Sequence, residues 1–393
     1  MSNEIDPKIS AISSAKLYAR LTRRPGASIT ESLESSDRAA VPLDDARIKQ
    51  SIDQLHTVLG RIKARGGTDS DLADRVTNGA ETGLKKLAAE GGAAKLSTSE
   101  RLGLEAVIHA DGSRPVFFIR HGEVDRTGVE AGKWGEALDS HIHPIRAVLP
   151  AVGRIGVRQS RFSYSGTGFL VGRDLVVTNR HVLQTLAVQG PADKWSLYQD
   201  ATIDFLGEIE NPATQRFKIT KVVFAGPEPI LGLDPKRLDV ALLAIERLDA
   251  DATLPAPVAL SAKSGPVASR RDLYVVGFPA AADLYYGSGD PAVGTEFANV
   301  LSSLFRDEFG VKRLAPGQID AGIGTVDDGG KQWAFEHDAS TLGGNSGSMV
   351  TDFGDGSTVI GLHFGGGPRR ENYAHAFAML KSALAGLGVN YAE

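Results

Sequence analysis

The sequence predicts a mainly β domain built of short strands, preceded by an α-helical region over residues 1–96. Apolar residues recur every three or four positions from Ile48 to Ile62, which is the spacing of one face of a helix. Beyond Ala151, short segments that alternate apolar and polar residues are separated by Gly, Pro and Asp turns. This pattern is typical of the strands of β-sandwiches and barrels. An apolar fraction of 42% over 393 residues is ample for packed cores in both parts.

The helical region contains three apolar stripes, over residues 9–21, 48–62 and 72–87, the last within a predicted helix from Asp71 to Ala89. Ser97-Thr98-Ser99-Glu100 has the pattern of a capping box and predicts a helix that continues through Val107. We therefore divide the chain into a helical N-terminal region (1–96), a connector (97–150) whose helix and strand dock on the following domain, and a β domain (151–393).

Composition excludes several classes of partner. The 43 basic and 48 acidic side chains leave no basic excess, so no nucleic-acid partner is expected. The chain has no cysteine, which excludes disulfides and thiolate metal sites and fits the cytosol. No signal-peptide core and no run of eighteen apolar residues is present, so we expect a soluble cytoplasmic protein without membrane contact. His141 and His143 have no third ligand candidate nearby, so no metal is expected.

The stretch from Asp338 to Ser348 is the first candidate for chemistry, because it places Ser346 between glycines. The glycines Gly343, Gly344 and Gly347 allow neighbouring backbone N–H groups to point into one small space beside the serine oxygen. Acyl transfer needs this combination of a nucleophile and donors for an oxyanion. The alternative is an ordinary Gly/Ser turn between two strands.

Two further residues favour the chemical interpretation. His181 lies at the end of a predicted buried strand that begins at Leu175. Asp239 is a lone carboxylate at the start of a strongly apolar predicted strand. A buried carboxylate needs a partner, and a histidine N–H is suitable. In this arrangement Ser346 attacks a carbonyl, His181 transfers the proton, and Asp239 fixes the imidazole tautomer. The N–H groups of Gly344 and Ser346 form the oxyanion hole, and no cofactor is required.

Over about residues 150–393 the chain resembles the trypsin-like (chymotrypsin-fold) serine peptidases. The resemblance rests on Gly166-Thr167-Gly168-Phe169, Thr178-Asn179-Arg180-His181-Val182, Leu238-Asp239-Val240-Ala241-Leu242, Val276-Gly277-Phe278-Pro279 and Gly343-Gly344-Asn345-Ser346-Gly347-Ser348. It implies a double six-stranded antiparallel β-barrel, a C-terminal helix from about Ala374 to Leu387, and a serine endopeptidase acting on protein or peptide substrates.

Within that family the motifs are most similar to the bacterial glutamyl endopeptidase branch. Asn345 stands where the digestive enzymes have the aspartate that pairs with a new N-terminus, so that activation route is not expected. Ser340 replaces the pocket aspartate of trypsin, while Thr341 and His363 match the residues that bind a P1 glutamate. These three residues are the predicted S1 pocket. A charged His363 would strengthen the preference for acidic substrates as pH falls.

Other functions compete with this interpretation. Arg120-His121-Gly122-Glu123 after an apolar strand resembles the phosphohistidine motif of histidine phosphatases, although too little chain surrounds it for that fold. A second alternative is a catalytically silent peptidase fold that serves as a binding module. Under the peptidase hypothesis, residues 1–96 are expected to regulate activity or to dock a regulatory protein partner. The long stretch from Ala281 to Gln318 is a candidate border of the substrate site.

Overall fold

The computed structural model describes residues 14–22, 42–64, 70–110, 113–129, 131–157, 164–191, 194–280, 306, 308–367 and 370–392. These residues form two compact units, one made mainly of the chain up to Ser113 and the other beginning at Arg114. In this part of the chain, no helix combines the length and apolar character needed to cross a bilayer.

The first unit is a set of helices: α1 (Ser14–Thr22), α2 (Asp45–Ala64), α3 (Ser70–Glu90), a 3₁₀ turn (Gly91–Ala93) and α4 (Thr98–Ala110). The predicted apolar stripe of α2 is confirmed, since Ile48, Leu55 and Leu59 are all buried. Their spacing places them on one face of the helix, where burial of apolar side chains supplies most of the stability of such a unit.

Helix α4 begins at the predicted capping box. The Ser97 amide donates to a Glu100 carboxylate oxygen at 2.7 Å, and the Glu100 amide donates back to the Ser97 hydroxyl at 3.3 Å. The pair satisfies two N–H groups that the first helical turn would otherwise leave without partners. Further along α4, a Cβ at Gly103 would lie 2.1 Å from the Ala80 amide nitrogen, so this close crossing with α3 requires glycine.

The first barrel of the second unit is made of six antiparallel strands: β3 (Val152–Val157), β4 (Gly166–Gly172), β5 (Leu175–Thr178), β8 (Ala201–Asp204), β9 (Arg216–Ala225) and β10 (Ala241–Arg247). They close in the order β10-β5-β4-β3-β8-β9. Ile155, Leu170 and Leu243 are fully buried, and the strand register places them on the same face of the sheet, where they form part of the core of this barrel. A hairpin of β6 (Ala187–Gln189) and β7 (Trp195–Leu197) lies outside the ring.

The second barrel also contains six antiparallel strands: β11 (Asp272–Gly277), β12 (Arg313–Ala321), β13 (Ala334–His337), β14 (Met349–Asp352), β15 (Val359–Gly367) and β16 (Arg370–Ala376). Their order is β11-β14-β15-β16-β13-β12, and pairing of β11 with β12 closes the ring. The predicted double six-stranded barrel is therefore confirmed. Most of the long stretch after Ala281 lies outside the described residues, and its end forms β12.

The segment between the helical unit and the first barrel joins the second barrel. Strand β1 (Phe117–Arg120) pairs with β12 through Phe117 and Leu314, and β2 (Glu123–Asp125) returns alongside it. Two short helices follow, α5 (Trp134–Ser140) and α6 (Ile142–Val148). The buried Lys312 amine donates to the carbonyls of Leu149 and Phe205, both at 2.9 Å, and burial lowers the pKa of this amine to about 8.

The closing helix is shorter than predicted. Residues 374–376 complete β16, where Ala374 pairs with Phe335 of β13, and the helix proper is α8 (Phe377–Leu380). The following residues form turns, with Gly386 and Gly388 at positive φ. The Ala385 and Leu387 amides donate to carbonyls three residues earlier, so the chain continues as turns and the predicted extension of the helix to Leu387 does not form.

Candidate active site

His181 lies in the first turn of helix α7 (Arg180–Leu186), which begins directly after strand β5. Two neighbours fix this strand-to-helix turn. The Asn179 side-chain amide donates to the Asp239 carbonyl at 2.8 Å, and the Nε of the fully buried Arg180 donates to the Gly226 carbonyl at 2.7 Å. The backbone that carries the imidazole is therefore held to the loop that carries Asp239.

The Asp239 carboxylate contacts His181 at two points. Its Oδ2 lies 2.6 Å from the imidazole Nδ1, and its Oδ1 accepts the His181 backbone N–H at 2.9 Å. Burial alone would raise the pKa of Asp239, but the nearby His181 charge and hydrogen bonds hold this pKa below its ordinary value. The carboxylate thus stays ionised, and its contribution to stability is lost only as pH falls through the lowered pKa. With Nδ1 bonded to a carboxylate, Nε2 is left as the proton acceptor.

His375 is a residue that the sequence did not single out, and it also contacts Asp239. Its Nε2 accepts the Asp239 backbone N–H at 3.0 Å, which links β16 of the second barrel to the first barrel. Its ring stacks on Phe364, with the ring centroids 4.2 Å apart. Burial lowers the pKa of His375 to about 4, so the ring is neutral and Nε2 remains an acceptor at neutral pH. A lone histidine among small strand residues gave no signal of this role.

The loop from Leu342 to Ser348 leaves two backbone donors available. The Asn345 amide donates to the Leu342 carbonyl and the Gly347 amide donates to the His363 carbonyl. Among the described residues, the intervening N–H groups of Gly344 and Ser346 have no hydrogen-bond acceptor. This alternation leaves the two predicted oxyanion-hole donors unused by the fold.

Contacts with strand β4 fix the shape of the same loop. Thr167 donates through its hydroxyl to the Gly344 carbonyl and through its amide to the Ser346 carbonyl, both at 2.8 Å. Gly344 has φ +84°, and a Cβ there would lie 2.5 Å from the Phe278 carbonyl oxygen. The buried Asn345 side chain donates to the Leu342 carbonyl and accepts from the Ser348 hydroxyl, which holds the loop without an ion pair.

Strand β4 also brings the serine loop beside the histidine helix. A Cβ at Gly166 would lie 2.7 Å from the Val182 side chain and 3.0 Å from the Ser346 carbonyl oxygen. Gly166 therefore sits between Ser346 and the residue that follows His181. The His181 side chain is 30% exposed and Ser346 is half-buried, so both remain accessible to a bound molecule.

The three residues predicted for the S1 pocket are buried, and two of them use their hydroxyls within the protein. Ser340 donates to the Arg114 carbonyl at 2.9 Å, and Thr341 donates to the Asn372 side-chain carbonyl at 2.6 Å. His363 lies with its Nδ1 3.1 Å from Nε2 of His337, a second histidine that the sequence analysis did not select.

The prediction that His363 becomes positively charged as pH falls is wrong. Burial, with the neighbouring His337 and His181 as further causes, lowers the pKa of His363 well below its ordinary value. The imidazole is therefore neutral at neutral pH and can act only as a hydrogen-bond donor or acceptor. The sequence showed the histidine but could not show that its side chain is buried.

In the segment Arg120–Glu123, which resembles a phosphohistidine motif, the arginine is already paired with carboxylates of the protein. Arg120 forms ion pairs with Asp125, at 3.0 Å, and with Glu210, while the Gly122 amide donates to the Glu208 carboxylate. Three carboxylates around this motif repel a phosphate rather than attract it. No group of three metal-ligating side chains occurs among the described residues either.

Two closed six-stranded barrels with a paired histidine and aspartate and a glycine-flanked serine define the chymotrypsin-like class of proteases. The model of the family described as "Trypsin-like peptidase domain" matches residues 166–362. A probable serine protease of Lysobacter enzymogenes is 36% identical over 327 residues, covering 79% of this chain and 81% of that protein. The chain belongs to the trypsin-like peptidase family and is a serine protease.

Solved structures with similarity include an M. tuberculosis protease in its active form, which is 20% identical over 65% of this chain and 88% of its own, with a TM-score of 0.38. Mouse neuropsin is 14% identical over 62% of this chain and 96% of its own, with a TM-score of 0.40. At these scores the two structures add nothing to the identification.

Proposed function

We propose that the protein is an endopeptidase that uses Ser346, His181 and Asp239 as a catalytic triad. The Ser346 hydroxyl attacks the scissile carbonyl carbon while Nε2 of His181 takes its proton. The resulting oxyanion accepts hydrogen bonds from the Gly344 and Ser346 amides. The C–N bond then breaks as His181 returns the proton to the leaving amine, and water hydrolyses the acyl-enzyme by the same steps in reverse order.

The observation that carries this proposal is the pair of uncommitted N–H groups beside Ser346, together with the two-point contact of Asp239 on His181. Both residues are only partly buried, so a bound molecule can reach these amides, which have no acceptor among the described residues. Two such donors beside a serine can stabilise a developing negative charge.

Labelling with a serine-directed fluorophosphonate probe tests the triad directly. We expect the wild-type protein to be labelled and Ser346→Ala to show no labelling. Ser264→Ala, which removes an exposed serine of the same unit, is the control and should be labelled like the wild type. Labelling that persists in Ser346→Ala contradicts the proposed nucleophile, and a wild type that is never labelled favours a catalytically silent binding module.

We further propose that the enzyme prefers glutamate at P1 and that a neutral His363 provides the recognition. If the Nε2–H of His337 donates to Nδ1 of His363, the tautomer of His363 is fixed and its own Nε2–H is left as a donor. A hydrogen bond to a substrate carboxylate is charge-assisted and needs no imidazolium. Because the hydroxyl hydrogen of Thr341 is used by Asn372, His363 is the stronger candidate donor of the two.

Peptides that differ only at P1 test this preference. We expect Glu to be cleaved faster than the isosteric Gln, and His363→Phe to reduce the ratio of Glu to Leu cleavage by about 10–100-fold, the worth of one charge-assisted hydrogen bond. The ratio should not rise as pH is lowered from neutral to mildly acidic, because His363 stays neutral. His143→Phe, at an exposed position, should leave the ratio unchanged. Cleavage after Glu no faster than after Leu or Lys would reject the preference.

We also propose that residues 1–96 restrain the protease or dock a regulatory protein. The helices of this region belong to a unit with its own buried residues, so they can bind a partner independently of the barrels. Deleting residues 1–95, a cut that preserves the Ser97 cap, should raise kcat/KM. Gly103→Val should act in the same direction, because it forces α3 and α4 apart. Equal activity of the intact, deleted and Gly103→Val proteins would exclude restraint of the protease by residues 1–96.

A further inference from the structure

The strongest feature outside the triad is a buried ion pair formed by Arg114, the first residue of the protease unit. Its guanidinium contacts both oxygens of Asp338, with Nε at 2.6 Å from Oδ1 and Nη2 against Oδ2. The Arg114 side chain is 9% exposed and that of Asp338 is 4% exposed. The guanidinium also lies over the Trp134 ring, 5.6 Å from its centroid. The pair is bidentate and shielded from water, which is the geometry in which an Arg–carboxylate contact is most directional.

Arg114 holds the same segment a second time through its backbone. Its carbonyl accepts the Ser340 hydroxyl at 2.9 Å, so the two residues that flank Ala339 are both bound to one arginine. Pro115 follows and restricts Arg114 to extended backbone, which sets the direction of both contacts in advance.

Strand β12 holds the opposite side of this segment. The Gln318 amide donates to Oδ1 of Asp338 at 2.7 Å, and a Cβ at Gly317 would lie 2.6 Å from the Ala339 nitrogen. The segment from Asp338 to Ser340 is thus clamped between β12 and Arg114. Thr341 and the serine loop follow it directly in the chain.

We propose that Arg114 is the positioning residue that orders the substrate pocket, in place of a newly cut N-terminus. The neutral Asn345 cannot form the ion pair with a new N-terminus that the aspartate at this position forms in the digestive enzymes. The buried ion pair of Arg114 with Asp338 would order this region instead. The protease is therefore ordered for substrate without proteolytic processing. This inference rests on the proposed triad and pocket.

Full-length variants test the role. Arg114→Met and Asp338→Asn should each lower kcat/KM for the best-cleaved fluorogenic peptide by about 100-fold, the cost of a misplacement of roughly 1 Å. The loss should appear as a raised KM with a smaller change in kcat. The rate of fluorophosphonate labelling should fall much less, because that small probe needs Ser346 but not the pocket. Arg114→Lys keeps the positive charge but cannot contact both oxygens of Asp338 as the guanidinium does. This variant should fold even if Arg114→Met does not. Its kcat/KM should lie between those of the wild type and Arg114→Met.

Arg271→Met is the matched control. Arg271 forms an ion pair with the buried Asp352 at 2.7 Å in the same barrel, outside the proposed pocket and triad. The substitution should lower the melting temperature but leave kcat/KM essentially unchanged. The proposal is overturned if the folded Arg114 variants keep wild-type kcat/KM, if their loss only matches that of Arg271→Met, or if labelling falls as steeply as peptide cleavage. Failure of the triad itself would show differently, as an unlabelled wild type.

Discussion

Replacing Ser346 by alanine is expected to lower kcat by about 10⁶-fold, and replacing His181 by alanine should have an effect of the same order. In the proposed mechanism, either change removes the step in which an activated oxygen attacks the substrate carbonyl. The double variant Ser346→Ala/His181→Ala should therefore be no slower than either single variant, because the two residues act as one unit. Single-turnover and steady-state kinetics on one peptide measure all three variants.

A residual rate is expected in each of these variants, since the amides of Gly344 and Ser346 and the substrate contacts remain in place. This residual rate should be about 10³–10⁴-fold above that of uncatalysed hydrolysis. KM should change little, because neither side chain is part of the proposed pocket. Effects that multiply in the double variant would mean that Ser346 and His181 do not share one catalytic step, and would contradict the triad.

Replacing Asp239 by asparagine should lower kcat by about 10⁴-fold while the fold is retained. The geometry gives the reason. The His181 backbone N–H donates to Oδ1, so the amide oxygen of the introduced side chain would be held there and its NH₂ group would face Nδ1. The imidazole would then carry its proton on Nε2, where it cannot accept the proton of Ser346. Steady-state kinetics near neutral pH measure the loss.

Asp249→Asn is the appropriate control for that substitution. Asp249 is paired with the half-exposed Arg216 at 2.8 Å and makes no contact with His181, and exposed ion pairs contribute little to stability. We expect wild-type kinetics from it. An Asp239→Asn protein whose kcat stays close to that of the wild type would show that the carboxylate does not orient His181.

The sequence predicted the helices and the two barrels well, because the residue patterns that indicate them are local. Strand alternation, the glycine pattern around Ser346 and the helical spacing of α2 are each set by neighbouring residues, and each corresponds to an observed element. The lone carboxylate Asp239 was informative for a similar reason, since a charge in an apolar strand requires a partner. That partner proved to be His181, 58 residues earlier in the chain.

The parts that sequence reasoning missed depend on distant contacts. His337 and His375 gave no local signal, because His337 meets His363 only when β13 and β15 come together, and His375 meets Asp239 only when β16 reaches the first barrel. Arg114 was not selected, since its partner Asp338 is 224 residues away. The neutral state of His363 depends on burial, which a residue pattern alone does not reveal.

The pairing of β1 with β12 has a consequence for synthesis on the ribosome. Phe117 emerges early, but its partner Leu314 follows only after the whole first barrel has been made. Since chains fold from the N-terminus as they are synthesised and distant pairings form last, the second barrel stays open until its final strands appear. Ser346 and His375 arrive in that last portion. The proposed triad is therefore complete only when translation is almost finished.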